Sequence, residues 1–117
     1  MGISTHVLDV SRGRPAAGVR VVLECRRGGG EDGDGWRRLG HGATDDDGRV
    51  TTLLPEAKTL EAGVHRLTFY LGEWFAARDV EAFYPQAVIV FEVREPEEHH
   101  HVPLLLSPFG YSTYRGS

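Results

Sequence analysis

Histidine is the side chain whose ordinary pKa, about 6.5, lets it give and take protons near neutrality. This sequence has six: His6, His41, His65, His99, His100 and His101. On a strand, His99 and His101 share one face and His100 takes the other. Two imidazoles on one face can bind Zn2+, but two ligands are too few. Glu97, Glu98 or His6 would have to complete the set, and no metal is expected. Taken alone, the cluster reads as a solvated start to a strand, and His6 within Ser4-Thr5-His6-Val7 reads as a polar strand residue. Arg49 follows an Asp-Gly turn, a common surface setting for arginine. In a site, its guanidinium would fix a carbonyl or a developing oxyanion through two donors. No Gly-x-Ser-x-Gly segment occurs, and neither Ser107 nor Ser112 stands in a nucleophile-elbow pattern. Spacing alone therefore gives no triad.

Other candidate motifs lose to plainer readings. Gly28, Gly30 and Gly33 match the spacing of a phosphate loop, but Glu31 and Asp32 repel phosphate and no helix pattern follows. Gly28–Gly35 is expected to be a hairpin tip. Asp45-Asp46-Asp47-Gly48 lacks the remaining ligands of a calcium loop and is expected to be a turn. Cys25, the single cysteine, lies in an apolar run and reads as a small hydrophobe rather than a nucleophile.

The elements that must position these residues are short strands. Apolar alternation and β-branched residues predict strands over Ile3–Val10, Gly18–Arg26, Trp36–Thr44, Arg49–Leu54, Gly63–Leu71, Ala87–Arg94, His99–Leu106 and Tyr111–Tyr114. Ser11 to Pro15 reads as a turn, and Glu73–Arg78 is the one helix-like patch. Eight short strands with regular turn signals point to an all-β sandwich. Unpaired strand edges in such a chain invite pairing with another copy.

Bulk properties narrow the classes further. A chain of 117 residues suits one domain, expected here over residues 1–117, with a core that needs no disulfide. The formal charge of −4 and the lack of a basic face argue against nucleic acid. No apolar run is long enough to span a membrane. No basic stretch followed by an apolar one opens the sequence, and Arg115-Gly116-Ser117 is not a peroxisomal tripeptide, so a cytoplasmic protein is expected.

The segment His99-His100-His101-Val102-Pro103-Leu104-Leu105-Leu106-Ser107-Pro108 through Tyr114-Arg115-Gly116-Ser117 closely resembles the ending of 5-hydroxyisourate hydrolases, whose hallmark is a closing Tyr-Arg-Gly-Ser. Other pieces follow the same order. Ser4-Thr5-His6-Val7-Leu8-Asp9 resembles the family's opening strand and Gly13-Arg14-Pro15-Ala16 its first turn. Thr44-Asp45 through Asp47-Gly48-Arg49 resembles its arginine segment. Phe83-Tyr84-Pro85, Val88 and Phe91 resemble the approach to its penultimate strands. The likeness covers nearly the whole chain. It departs at Gly28–Gly35, longer than the family's usual hairpin, and at His100, where an aromatic residue is common.

The resemblance implies a transthyretin-like sandwich of two four-stranded sheets with one short helix, and a homotetramer with active sites at the dimer–dimer interface. It implies hydrolysis of 5-hydroxyisourate to 2-oxo-4-hydroxy-4-carboxy-5-ureidoimidazoline, a step of urate breakdown, with no cofactor. It assigns His6, Arg49 and His101 as catalytic. His6 and Arg49 also bind substrate, together with Tyr114, Arg115, Gly116 and Ser117, and the Ser117 carboxylate is placed to anchor Arg49 or an imidazole. Which histidine is the general base stays open.

Two rival readings share the strand pattern. A transthyretin-type carrier would have the same sandwich and channel but bind a hydrophobic hormone. It would need no histidine pair, channel arginine or Tyr-Arg-Gly-Ser ending, and those polar groups would make its channel poorly apolar. A plain β-sandwich interaction module would leave His6, Arg49 and His101 as coincidences.

Overall fold

A computed structural model describes residues 2–26 and 35–117. All of the glycine-rich tip except Gly35 lies outside the described residues. The chain runs β1 (Gly2–Asp9), β2 (Arg14–Pro15), β3 (Arg20–Arg26), β4 (Trp36–Ala43), β5 (Arg49–Val50), β6 (Gly63–Phe69), α1 (Leu71–Ala76), β7 (Ala87–Val93), β8 (His99–Ser107) and β9 (Gly110–Thr113). One sheet has the order β2-β1-β8-β9, with β5 also paired to β1, and the other has the order β4-β3-β6-β7. The all-β sandwich with one short helix is therefore present, and β2, in the segment read as a turn, pairs with β1 and adds a fifth strand to one sheet.

Alternation decides which side chains fill the space between the sheets. On β1, Ile3, Thr5 and Val7 face the core and are almost fully buried. On β8, His100, Val102, Leu104 and Leu106 do the same. Val19, Val21 and Leu23 meet them from the other sheet, as their alternation predicts. Val22, on the opposite face of β3, is nevertheless only 7% exposed. Its strand lies between β4 and β6, so His41 and Thr68 flank it on both sides. Cys25 is half-buried and packs against the edge of the core.

Several boundaries differ from the sequence reading, two of them for reasons of tertiary packing. The strand expected over Arg49–Leu54 stops at Val50. Beyond it the chain leaves the sheet so that Leu53 enters the core at 1% exposure, and the Leu53 carbonyl packs where Gly40 has no Cβ. The helix begins at Leu71 rather than Glu73. Its inward face is Leu71, Trp74 and Phe75, and Trp74 Nε1 donates to the Ala17 carbonyl at 2.7 Å. Tertiary packing, rather than helix propensity, sets so short a helix.

β1 and β8 run parallel, whereas the other strand pairs are antiparallel. Their register matches Gly2 with His99, Ser4 with His101 and His6 with Pro103. It brings the two histidine segments side by side.

Candidate active site

Residues at even positions of β1 and odd positions of β8 point away from the core. Ser4, His6, His99 and His101 thus share the outer face of one sheet. β5 lies along the other edge of β1 and pairs Arg49 directly with His6. The extended chain after β9 returns beside β8, where Gly116 bridges His101 and donates its N–H to the His101 carbonyl at 2.8 Å. Three of the residues singled out from sequence, His6, Arg49 and His101, therefore stand on adjacent strands of one face, and Gly116 joins them.

A locked turn holds Arg49 in place. Asp45 Oδ1 accepts from the backbone N–H groups of Asp47 and Arg49, both at 2.9 Å. Gly48 adopts φ +78°, and the Val7 carbonyl occupies the place of its missing Cβ, so only glycine fits. Val7 N–H donates to the Gly48 carbonyl at 2.7 Å and ties the turn to β1. His6 completes the junction, because its Nε2 lies 2.9 Å from the Asp47 carbonyl oxygen. A carbonyl only accepts, so Nε2 carries the hydrogen and neutral His6 has its lone pair on Nδ1.

Ser4 is the residue that sequence reasoning missed. Its Oγ lies 2.7 Å from Nε2 of His99 and 2.8 Å from Nδ1 of His101. Ser4 is 8% exposed and His101 half-buried, while His99 is exposed. The expected sharing of one face by His99 and His101 becomes a direct link through one hydroxyl. The signal was available in principle: a small hydroxyl two residues before a histidine on a strand lies on the same face. Only the β1–β8 register shows what it touches.

Both linked imidazoles are biased toward the neutral form. Burial lowers the pKa of His101 below 6.5, and Arg49, His6 and His99 lower it further. Burial also lowers that of His99. A neutral imidazole can accept a proton from water, which an imidazolium cannot.

The remaining candidates lie further out. Tyr114 is 59% exposed. Arg115 Nη2 donates to Glu98 Oε1 at 3.2 Å, an exposed pair. Ser117 is exposed. A hollow of about 140 Å3 touches His101 together with Tyr114 and Arg115, but it includes neither His6 nor Arg49. The catalytic-type groups instead occupy an open face of the single chain. His100 points inward, as its place on the strand predicts, and is 5% exposed with no partner for Nδ1 among the described residues. Among those residues, no three His, Cys, Asp or Glu side chains are grouped to hold a metal ion.

The chain is 44% identical over 115 residues to the 5-hydroxyisourate hydrolase of Salmonella dublin, covering 98% of this chain and 80% of that one. It superimposes on the 5-hydroxyisourate hydrolase of Klebsiella pneumoniae with a TM-score of 0.80 at 40% identity, covering 98% of this chain and 92% of that one. Sea bream transthyretin in complex with thyroxine gives a TM-score of 0.84 at 29% identity, covering 97% and 93%. Backbone shape thus fits hydrolase and carrier alike, while residue identity is higher to the hydrolases. The HIUase/Transthyretin family model matches residues 3–116, and the chain belongs to that family.

Proposed function

We propose that this chain hydrolyses 5-hydroxyisourate to 2-oxo-4-hydroxy-4-carboxy-5-ureidoimidazoline, acting as a cyclic amidohydrolase in urate breakdown. The observation that carries the reading is one polar face on which His6 pairs with Arg49 beside a neutral-biased His101. A channel built for a hydrophobic hormone has no use for these groups.

The substrate is a flat bicycle of urea and amide groups. Opening it joins a water oxygen to a ring carbonyl carbon, breaks the C–N bond and puts a proton on the departing nitrogen. His101 is the base that takes the water proton, at Nε2, because Ser4 already holds Nδ1. Arg49 meets the negative charge that grows on the carbonyl oxygen. His6 orients substrate or water through Nδ1, since Nε2 is committed to the Asp47 carbonyl. Tyr114, Arg115, Gly116 and Ser117 complete the rim, with Gly116 packed on the His101 ring. No metal or other cofactor enters the scheme.

The open face also suggests the assembly. Strands β7 and β9 end their sheets, with Val90 57% and Tyr111 38% exposed. Edge pairing between copies and closure of the polar face by a second pair would give a homotetramer with sites at the dimer–dimer interface. No helix among the described residues is long and apolar enough to cross a membrane, and the working location is the cytoplasm.

Freshly generated 5-hydroxyisourate, followed by ultraviolet absorbance, tests the proposal. Wild-type protein should clear it much faster than buffer does, and His101→Ala, His6→Ala and Arg49→Ala should each lose about 10²–10³ in rate. Full activity in His101→Ala would overturn the assignment. Tight thyroxine binding without hydrolysis would favour the carrier instead.

A further inference from the structure

Ser4 carries one hydroxyl hydrogen and contacts two imidazole nitrogens. It therefore donates to one ring and accepts from the other. In the first arrangement His101 donates from Nδ1 to Ser4, and Ser4 donates to Nε2 of His99. His101 then has a lone pair on Nε2 and is a base there. In the second, His99 donates from Nε2 to Ser4, and Ser4 donates to Nδ1 of His101. His101 then carries its hydrogen on Nε2 and is an acid there. We propose that Ser4 and His99 form a proton relay that switches His101 between base and acid during one turnover, an inference that rests on the hydrolase reading above.

The protons balance. As water attacks, its proton goes to Nε2 of His101. The Nδ1 hydrogen of His101 passes to Ser4 Oγ, and the hydroxyl hydrogen passes to Nε2 of His99. His99 becomes the imidazolium, while His101 and Ser4 stay neutral. When the C–N bond breaks, the Nε2 hydrogen of His101 goes to the departing nitrogen. The relay runs backward, and His99 returns to its neutral form. Ser4 and His99 are positioning residues in this scheme, because they act on the reacting atoms only through His101.

The surroundings explain why the charge should travel. Arg49 and His6 both act against a charged His101. His99 lies on the exposed end of the cluster, and its charge is opposed by partial burial and then by the N-terminal ammonium and His100, but not by Arg49. Moving the positive charge two side chains away takes it off the ring that Arg49 opposes and onto the more exposed one.

The test combines kinetics with nitrogen-15 NMR of the intact protein. Ser4→Ala and His99→Ala should lower kcat by about tenfold or more, a part of the 10²–10⁴ typical of acid–base catalysis, with little change in KM. Ser4→Thr keeps a hydroxyl and should recover most of the rate. Added imidazole should raise the rate of His99→Ala but not that of Ser4→Ala. In the NMR titration, His99 and His101 should show reciprocal tautomers that uncouple in Ser4→Ala. Wild-type rates in folded Ser4→Ala and His99→Ala would overturn the relay, as would unchanged His101 tautomers in Ser4→Ala. A wild-type protein inactive on 5-hydroxyisourate would defeat the hydrolase reading, and the tautomer measurement would still judge the Ser4 link.

Discussion

At position 116 a side chain has nowhere to go. A Cβ there would sit 2.6 Å from Cδ2 of His101 and 3.2 Å from its Cγ. Cδ2 is bonded to the nitrogen that must meet water. Gly116→Ala should therefore rotate or shift the imidazole and cut kcat on the order of 10²-fold, the usual cost of misplacing a reacting group by about 1 Å. Because Gly116 lies outside the hydrophobic core, thermal stability should stay near that of the wild type. Steady-state kinetics and a melting curve check both halves, and an unchanged kcat would contradict the packing argument. Arg49 offers a second test at this scale. Burial and then Arg49 hold the His101 pKa down. The residual activity of Arg49→Ala should therefore need a higher pH than the wild type before it reaches its plateau. A pH–rate profile of both proteins on the same buffers would show the shift of the acid limb.

Among the elements, the turn from Asp45 to Gly48 matters more than its length suggests. One carboxylate oxygen of Asp45 serves two backbone donors, including that of Arg49 itself. Asp45→Ala should cost about 1–2 kcal/mol in urea denaturation, typical of losing charge-assisted hydrogen bonds. It should also lower kcat/KM by loosening Arg49, while Asp46→Ala, next to it and exposed, should do neither. The same turn shows what the sequence made legible. Asp-Gly spacing announced the turn, and the motif announced Arg49. That β5 would be two residues long was hidden, because Leu53 leaves the sheet for a core position that only the assembled fold creates. Strands with alternating apolar residues, such as β6 and β8, could be read nearly to their ends. Ser4 could not be read as a partner of two histidines, since that depends on pairing between residues 95 and 97 positions away. Local periodicity says which way a side chain points, not which strand lies next to it.

For the molecule as a whole, lowered histidine pKa values make a statement about stability. His65 is 2% exposed, stacks on Phe91 and donates from Nδ1 to the Gly63 carbonyl, and burial pushes its pKa below 6.5. His99 and His101 shift the same way. Below about pH 6.5 the unfolded chain binds protons that the folded chain resists. Stability should therefore fall as pH drops through that range and be fully present above it, with a slope of at most about 1.4 kcal/mol per pH unit from His65. Urea midpoints at pH 7.5 and 5.5 measure the effect, and His65→Leu should flatten it.

The parallel seam between β1 and β8 also dictates an order of events in the cell. Strand β1 leaves the ribosome well before β8, which follows some 97 residues later. At about 5–20 residues per second, that is a wait of roughly 5–20 s. Until then Ser4 has no imidazole to touch, and one flank of β1 stays open to chaperones or to stray strands. Chemical competence thus arrives late, in a single closing event once β8 has emerged.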